Sequence, residues 1–351
     1  LDDYSALRDM NKENLSAKGK LFKPRDAKLF RPRNSLGNTG GQFYVAKNPT
    51  YGAVFTYHLN SVPKTSKSLR VQSEKKLNSE NKNIPFPGYE ALRNEMNEKS
   101  PSLILTIKDS EGNHIRNVKK NASNGSGRIA WNLRHESYFP VRAGSSGPRW
   151  GYFNPSGPYV TPGEYHAELY IENNGVIEKL DGPVAFNVKP LRKHTLSGSS
   201  HDDYNSFRKR VSSLYIDMSR YQDEFEMMKT KVQILDKASL QLSTFSPDII
   251  NKISEFKNKY NKFESEIDGN PAKAEIGEWD KVTLSTRVQI AMQGLSTSYG
   301  PTDLNSSNLE IAEKLFEELK VNIQNLKSEL DSLEKEVKEL NPPHLSGSGI
   351  N

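Results

Sequence analysis

Short runs in residues 41–191 alternate apolar and polar side chains and are bounded by turn-forming residues. The clearest run is EYHAELYIE, in which apolar and polar positions alternate, namely Tyr165, Ala167, Leu169 and Ile171 with Glu164, His166, Glu168 and Tyr170. Because successive side chains of a strand point to opposite faces, this run predicts a strand with one buried and one hydrated face. About seven or eight such runs predict an antiparallel β-sandwich of the immunoglobulin or fibronectin type.

Two stretches depart from this pattern. Residues 61–100 are polar, and we expect a long loop inserted between two strands, with a short helix near Tyr89–Asn97. Residues 1–40 mix basic residues with Pro and Gly, which predicts an extended arm lying on a neighbouring domain. The expected anchors of the arm are two apolar pairs, Leu21–Phe22 and Leu29–Phe30. Because these pairs are sparse, a disordered tail is the alternative.

Residues 201–341 change to a helical period, with apolar residues three and four positions apart. The stripes cover 207–235, 249–267 and 311–340, and a shorter helix is expected near 284–295 after a loop at 268–281. The last stripe spans about thirty residues, a length typical of long antiparallel helices. We expect three of its leucines to pack on the first stripe, namely Leu319, Leu326 and Leu333 on Met218, Phe225 and Val232.

The predicted fold class is therefore α+β with several domains. A β-sandwich at 41–191 is followed by an α-helical bundle at 201–341 with long antiparallel helices. The Ser/Gly-rich residues 192–200 are interpreted as the linker, and residues 342–351 as a tail that starts at Pro342–Pro343.

Composition limits the possible functions. The hydrophobic share is 34% and the charged share 26%, which indicates thin cores and a large polar surface. Since the chain has no Cys, disulfides, thiol nucleophiles and cysteine metal sites are excluded. No apolar run is long enough to cross a bilayer, and the start at Leu1 without a leader indicates a processed protein or a piece of a longer one. The net charge of +6 is spread over loops, so a nucleic-acid partner is not expected.

The window GNHIRNVKKNASNGSGRIAWNLRHE at 112–136 concentrates polar residues around one Trp. Ile129, Trp131 and Leu133 share one strand face, so we interpret the window as a β-hairpin around a core Trp. Glu111 and Glu136 fall at the ends of different strands and do not form an acid–base pair. The seven His residues are scattered along the chain, and phosphate-loop and nucleophile-elbow motifs are absent. We therefore expect no enzyme activity, no metal and no cofactor.

One loop carries a candidate binding surface. Residues 141–163 contain arginines and aromatic residues without core periodicity, namely Arg142, Arg149, Trp150, Tyr152 and Tyr159. Exposed aromatic residues beside Arg are typical of protein-binding surfaces, and their faces also stack on sugar rings. The alternative is a loop that folds back on its own domain and buries these aromatic residues.

Six stretches together carry a family resemblance, namely LDDYSALRDM, LFKPRDAKLFR, AKNPTYGAVFTYHL, GRIAWNLRHE, GPYVTPGEYHAELYI and TSYGPTDLNSSNLEIAEKLFEEL. They resemble the region after the propeller in bacterial sortilin-like or glycosyl-hydrolase (sialidase-like) BNR-repeat β-propeller proteins. The first stretch resembles the exit from the last blade, the second the following arm, the third the first sandwich strands, and the other three later elements of the same region. The β part also resembles the immunoglobulin-like module of flagellar hook-capping proteins.

The resemblance implies a non-catalytic structural or protein-interaction module in the C-terminal part of a larger protein. Any hydrolase activity of the family belongs to the propeller, and no catalytic residue carries over to this chain. The implied location is the bacterial cell envelope or the secreted fraction, and the implied partners are the protein's own N-terminal propeller and another envelope protein. The alternative function is a carbohydrate-binding accessory region that contacts a glycan.

Overall fold

The computed structural model describes residues 3–32, 48–141, 157–192, 195–297 and 299–345. The chain divides into two units. The first consists of Leu1–Glu136 with Ser156–Thr195, and the second of Ser137–Pro155 with Leu196–Asn351. Among the described residues, no helix is both long and apolar enough to cross a membrane.

The first unit carries eight strands and three α-helices in its described residues. A short 3-10 helix at Ser5–Asp9 precedes α1 (Lys12–Ser16) and the strands β1 (Gly19–Leu21), β2 (Ala27–Leu29) and β3 (Ala53–Leu59). The helices α2 (Ser66–Ser79) and α3 (Tyr89–Asn97) follow. The remaining strands are β4 (Ser102–Asp109), β5 (His114–Asn121), β6 (Gly125–Trp131), β7 (Gly163–Asn173) and β8 (Val176–Pro190).

These strands form two sheets, and their pairing shows that the predicted fold class was wrong. One sheet has the order β1-β3-β6, and the other has the order β2-β8-β7-β4-β5. β2 pairs with β8 in parallel, so the larger sheet is mixed, and it curls into a half-barrel. An antiparallel immunoglobulin-like sandwich followed by a bundle does not describe this architecture, whose described residues form eight α-helices across both units. Periodicity indicates a strand but not its partner, so the parallel pairing could not be derived from it.

The core of the first unit follows the predicted alternation. Tyr165, Ala167, Leu169 and Ile171 of β7 are all buried. Trp131 is fully buried, and its ring lies 5.4 Å from that of Tyr165. Its indole N–H donates to the Arg134 carbonyl at 2.9 Å, so the buried polar atom is satisfied. The interpretation of residues 112–136 as one hairpin was wrong, because β5 and β6 lie in different sheets, where β6 pairs with β3 and β5 with β4. The hairpin is formed by β4 and β5, and Asp109 closes its turn by accepting the Asn113 N–H at 2.8 Å.

The arm and the insert are more ordered than the sequence indicated. Leu21 and Phe22 are buried as expected, but Phe30 is 41% exposed. The arm adds β1 and β2 to the two sheets, a role that three-residue strands do not reveal by periodicity. In the insert, α3 matches the predicted helix at Tyr89–Asn97, whereas α2 was expected to be loop.

The second unit is helical in its described residues. Its helices are α4 (His201–Ser239), α5 (Pro247–Asp268), α6 (Pro271–Glu275), α7 (Leu284–Gly294) and α8 (Asp303–Glu339). Ser200, Ser246, Thr283 and Thr302 cap helix starts through their side chains, as N-cap residues commonly do. α4 and α8 run past two successive partners, α7 and α5, so their stripes enter two hydrophobic clusters.

The two clusters show which residues lie with the three leucines of the α8 stripe. Leu326 and Leu333 lie in one cluster with Phe225 and Val232, as expected from the spacing. Met218 belongs to the other cluster. Leu319 is only partly buried and contacts both clusters.

Candidate functional site

Tyr159 is the member of the predicted binding surface that the structure describes. Its ring is covered by the Arg134 guanidinium at 3.7 Å from the centroid, and Arg134 also donates to the Gly157 carbonyl at 2.9 Å. The ring of Tyr51 meets Tyr159 edge-on at 6.4 Å, and Phe30 meets Tyr51 at 4.9 Å. Burial raises the pKa of Tyr51 to about 12. The Tyr159 ring therefore has one face taken by its own chain.

The other four residues of the predicted surface, Arg142, Arg149, Trp150 and Tyr152, lie outside the described residues. Since Arg134 already stacks on Tyr159, this ring offers a sugar at most its other face.

A network of buried carboxylates lies on the polar face of the larger sheet. Glu168 on β7 is only 6% exposed and accepts from the ammonium groups of Lys108 at 2.7 Å and Lys179 at 2.6 Å. The Tyr170 hydroxyl donates to the same carboxylate at 2.9 Å. Hydrogen bonds from the two lysines hold the pKa of Glu168 at about 2. The face predicted to be hydrated is thus partly closed by lysine side chains.

Glu172 forms a second, adjoining group on the same strand face. Its carboxylate accepts from the Ser102 hydroxyl at 2.8 Å, the Lys119 ammonium at 3.1 Å and the Gly175 N–H at 3.2 Å. The hydrogen bond from Ser102, followed by that from Lys119, lowers the pKa of Glu172 to about 2. Both carboxylates stay ionised and saturated with donors, an arrangement that suits a structural role better than proton transfer.

A groove of about 540 Å³ lies between α4 and α8, next to Leu345. Met227 and Ile234 line it, and Met227 is 64% exposed. Its charged lining is engaged in ion pairs, because Lys231 contacts both Asp331 and Glu334. Within the described ranges, no three His, Asp or Glu side chains are arranged to hold a metal ion.

Among the described residues of 201–345, the most exposed large apolar side chain is Trp279, which is 93% exposed. It lies in the connection between α5 and α7, residues 269–283, which we call the Trp279 loop. Ile276 and Val282 of the same loop are 76% and 50% exposed. Three large apolar residues thus face water within seven positions of one connection.

The Trp279 loop is held in shape by Asp280. Its carboxylate accepts the backbone N–H of Asn270 at 2.7 Å and that of Lys281 at 2.8 Å, and Lys273 lies 3.5 Å away. The hydrogen bond from Asn270, followed by that from Lys281, lowers the pKa of Asp280. Gly269 turns the chain after α5 with φ 90°, where a side chain would be strained. The loop therefore presents Trp279 from a braced backbone.

Sequence reasoning treated residues 268–281 as a connection and missed this surface. The available signal was Ile276 and Trp279 in a segment without helical or strand periodicity that also contains Gly269 and Gly277. The brace could not be recognised, because the carboxylate of Asp280 bonds a backbone N–H ten residues earlier.

Comparison with known protein families and with curated proteins found no match for the chain.

Proposed function

We propose that this chain is a non-catalytic protein-interaction region and that the Trp279 loop is its principal contact surface. The observation that carries the proposal is the nearly complete exposure of Trp279 on a backbone braced by Asp280. Trp is enriched among the residues that dominate protein–protein binding energy, and truncating such a residue costs about 2 kcal/mol or more.

The hydrogen bonds of Asp280 favour binding because they leave fewer loop residues to be ordered when a partner binds. A loop that already has its bound shape loses less conformational entropy when a partner covers it. Ile276 and Val282 provide apolar surroundings that would exclude water around the indole once a partner is seated. Because it is braced, exposed and apolar, the Trp279 loop suits contact with an apolar surface of a partner protein.

The resemblance to β-propeller proteins suggests where the chain acts and which proteins it contacts. We propose that the chain belongs to an envelope or secreted bacterial protein and contacts its own propeller or another envelope protein. Carbohydrate binding at Tyr159 has less support, since Arg134 covers one face of that ring.

The experiment places a photo-reactive phenylalanine analogue at position 279 in cells that produce the whole protein. The same analogue at Leu240, which is 74% exposed in the same unit, is the matched control. We expect a discrete cross-linked product from position 279 and not from 240, and we expect Ile276→Ser to reduce it. Equal cross-linking from both positions, or none from 279, would contradict the proposal.

A further inference from the structure

The insert between β3 and β4 forms a helical hairpin, residues 61–100, that buries no helical side chain. Neither α2 nor α3 contains a buried residue. Arg70 of α2 forms a two-point contact with Glu95 of α3, with N–O distances of 2.7 and 2.8 Å, and also bonds Glu74 at 2.6 Å. The hairpin is therefore held together by charged groups and not by an apolar core.

Its base is fixed to the sheet. The Glu98 carboxylate accepts the Ser66 N–H, the start of α2, at 2.7 Å. The Asn174 amide in the turn between β7 and β8 donates to the same carboxylate at 3.4 Å. With 14 residues, α2 extends about 21 Å from this base at 1.5 Å per residue.

Three exposed apolar side chains follow one another closely at the opposite end, in addition to Leu69 and Met96 nearer the base. Ile84, Phe86 and Tyr89 are 47%, 63% and 85% exposed. The rings of Phe86 and Tyr89 pack edge-on at 5.0 Å, which orders them without burying them. Pro85 and Pro87 flank Phe86 and restrict the backbone of the tip.

Two lysines lie at the level of these rings. The contacts of Ser66 with Glu98 and of Arg70 with Glu95 set the register of the antiparallel pair. Continued along the hairpin, this register places Lys75 and Lys76 opposite Glu90 and Tyr89. Both lysines are exposed. Lys82, nearer the turn, is paired with Glu80 at 2.7 Å.

A tip of exposed apolar and aromatic residues beside lysines has the chemistry of a bilayer contact. Aromatic rings settle at the headgroup level, apolar side chains enter the acyl boundary, and ammonium groups attract anionic lipids. A protein pocket could accept the rings, but it would not need the lysines at the same level. We propose that the tip of this hairpin docks on the surface of an anionic lipid bilayer through Ile84, Phe86 and Tyr89, with Lys75 and Lys76 on the headgroups.

The test measures co-sedimentation of the whole chain with phosphatidylglycerol/phosphatidylcholine vesicles and with phosphatidylcholine vesicles alone. We expect association with the anionic vesicles that weakens with salt. The double variant Phe86→Ser/Tyr89→Ser should bind at least about tenfold more weakly. Lys75→Gln/Lys76→Gln should weaken binding to anionic vesicles only. Val176→Ser, which removes a 70% exposed apolar residue of the same unit, is the control and should bind as the parent does.

A direct readout uses Phe86→Trp, whose emission should shift to the blue and be quenched by brominated lipids, whereas Val176→Trp should show neither change. Circular dichroism checks that the variants fold. If the parent prefers anionic vesicles no more than neutral ones, or if Phe86→Ser/Tyr89→Ser binds as the parent does, the inference is overturned. Cross-linking of position 86 to a protein without vesicle binding would also overturn it and assign the tip to that partner. Trp279→Ala should leave vesicle binding unchanged, so this result is independent of the proposed protein contact.

Discussion

Replacing Glu168 by Gln tests whether the ion network on the larger sheet stabilises the first unit. The carboxylate has a pKa of about 2, against an ordinary value of 4.5. A difference of this size corresponds to about 3 kcal/mol of stability at neutral pH. Lys108 and Lys179 are 35% and 41% exposed, so water screens part of this interaction. We therefore expect Glu168→Gln to cost about 2 kcal/mol at pH 7.

The pH dependence of the stability difference between the parent and Glu168→Gln identifies the electrostatic contribution of Glu168. Because the folded pKa of Glu168 is lowered, its contribution is complete above pH 4.5 and is lost as the pH falls towards about 2. Glu172 titrates in both proteins, so the difference between parent and variant isolates Glu168. The free-energy difference should be largest at pH 7 and clearly smaller at pH 3.

The assay is urea unfolding, monitored by the near-ultraviolet circular dichroism to which the buried ring of Trp131 contributes. Glu178→Gln is the matched control, since Glu178 pairs with Lys18 at the surface and both side chains are about half exposed. It should change stability by less than about 0.5 kcal/mol. A difference between Glu168→Gln and the parent that is as large at pH 3 as at pH 7 would refute the electrostatic explanation.

Three further substitutions test the core, a backbone position and the loop brace. Leu326→Asp should cost more than about 3 kcal/mol by burying a charge, with loss of helical circular dichroism while the near-ultraviolet signal of Trp131 persists. Gly52→Ala should destabilise the first unit by more than about 2 kcal/mol in urea unfolding, because φ is 110° and the new Cβ would lie 1.9 Å from the Trp131 carbonyl oxygen. Asp280→Asn should speed amide hydrogen exchange in the Trp279 loop about tenfold, as measured by mass spectrometry, because two charge-assisted hydrogen bonds weaken.

Each of these has a control in the same unit. Val321→Asp on α8 changes a 57% exposed position and should leave helical content intact. Gly112→Ala has φ 86° but no neighbour within 4 Å, so it should cost only about 1 kcal/mol. Glu278→Gln changes a charge next to Trp279 and should leave exchange unchanged. If any control matches its test variant, the corresponding structural explanation is wrong.

The local elements of the fold were largely predictable. The alternation in β7 and the stripe on α8 are properties of neighbouring residues, and their periods report strand and helix directly. The short helix at Tyr89–Asn97 was also predicted. In contrast, α2 was missed because its apolar residues Leu69, Val71 and Leu77 are not three or four positions apart, and because it is held by Arg70 contacts with α3 that no period reveals.

The candidate surfaces were less predictable. The sequence drew attention to aromatic residues around Tyr159, but whether a ring is free depends on neighbours such as Arg134, which lies 25 positions away. Trp279 was passed over because a loop residue has no period against which its exposure can be judged. Its significance follows from the nearly complete exposure of its side chain and from the brace of Asp280, both of which are three-dimensional properties.

The sequence by itself therefore determined most strands of residues 41–191 and the long helices of residues 201–341, but not α2, β1 or β2. It also determined the absence of cysteine chemistry and the burial of Trp131. Tertiary structure alone decided the parallel pairing of β2 with β8 and the closure of lysines over Glu168. The physical reason is the range of the interactions. Side-chain periodicity reports only on residues a few positions apart in the sequence. The residues of the long-range contacts meet only after the chain has folded, as do Ala27 and Val188 in the parallel pair and Lys108 and Glu168 in the ion network.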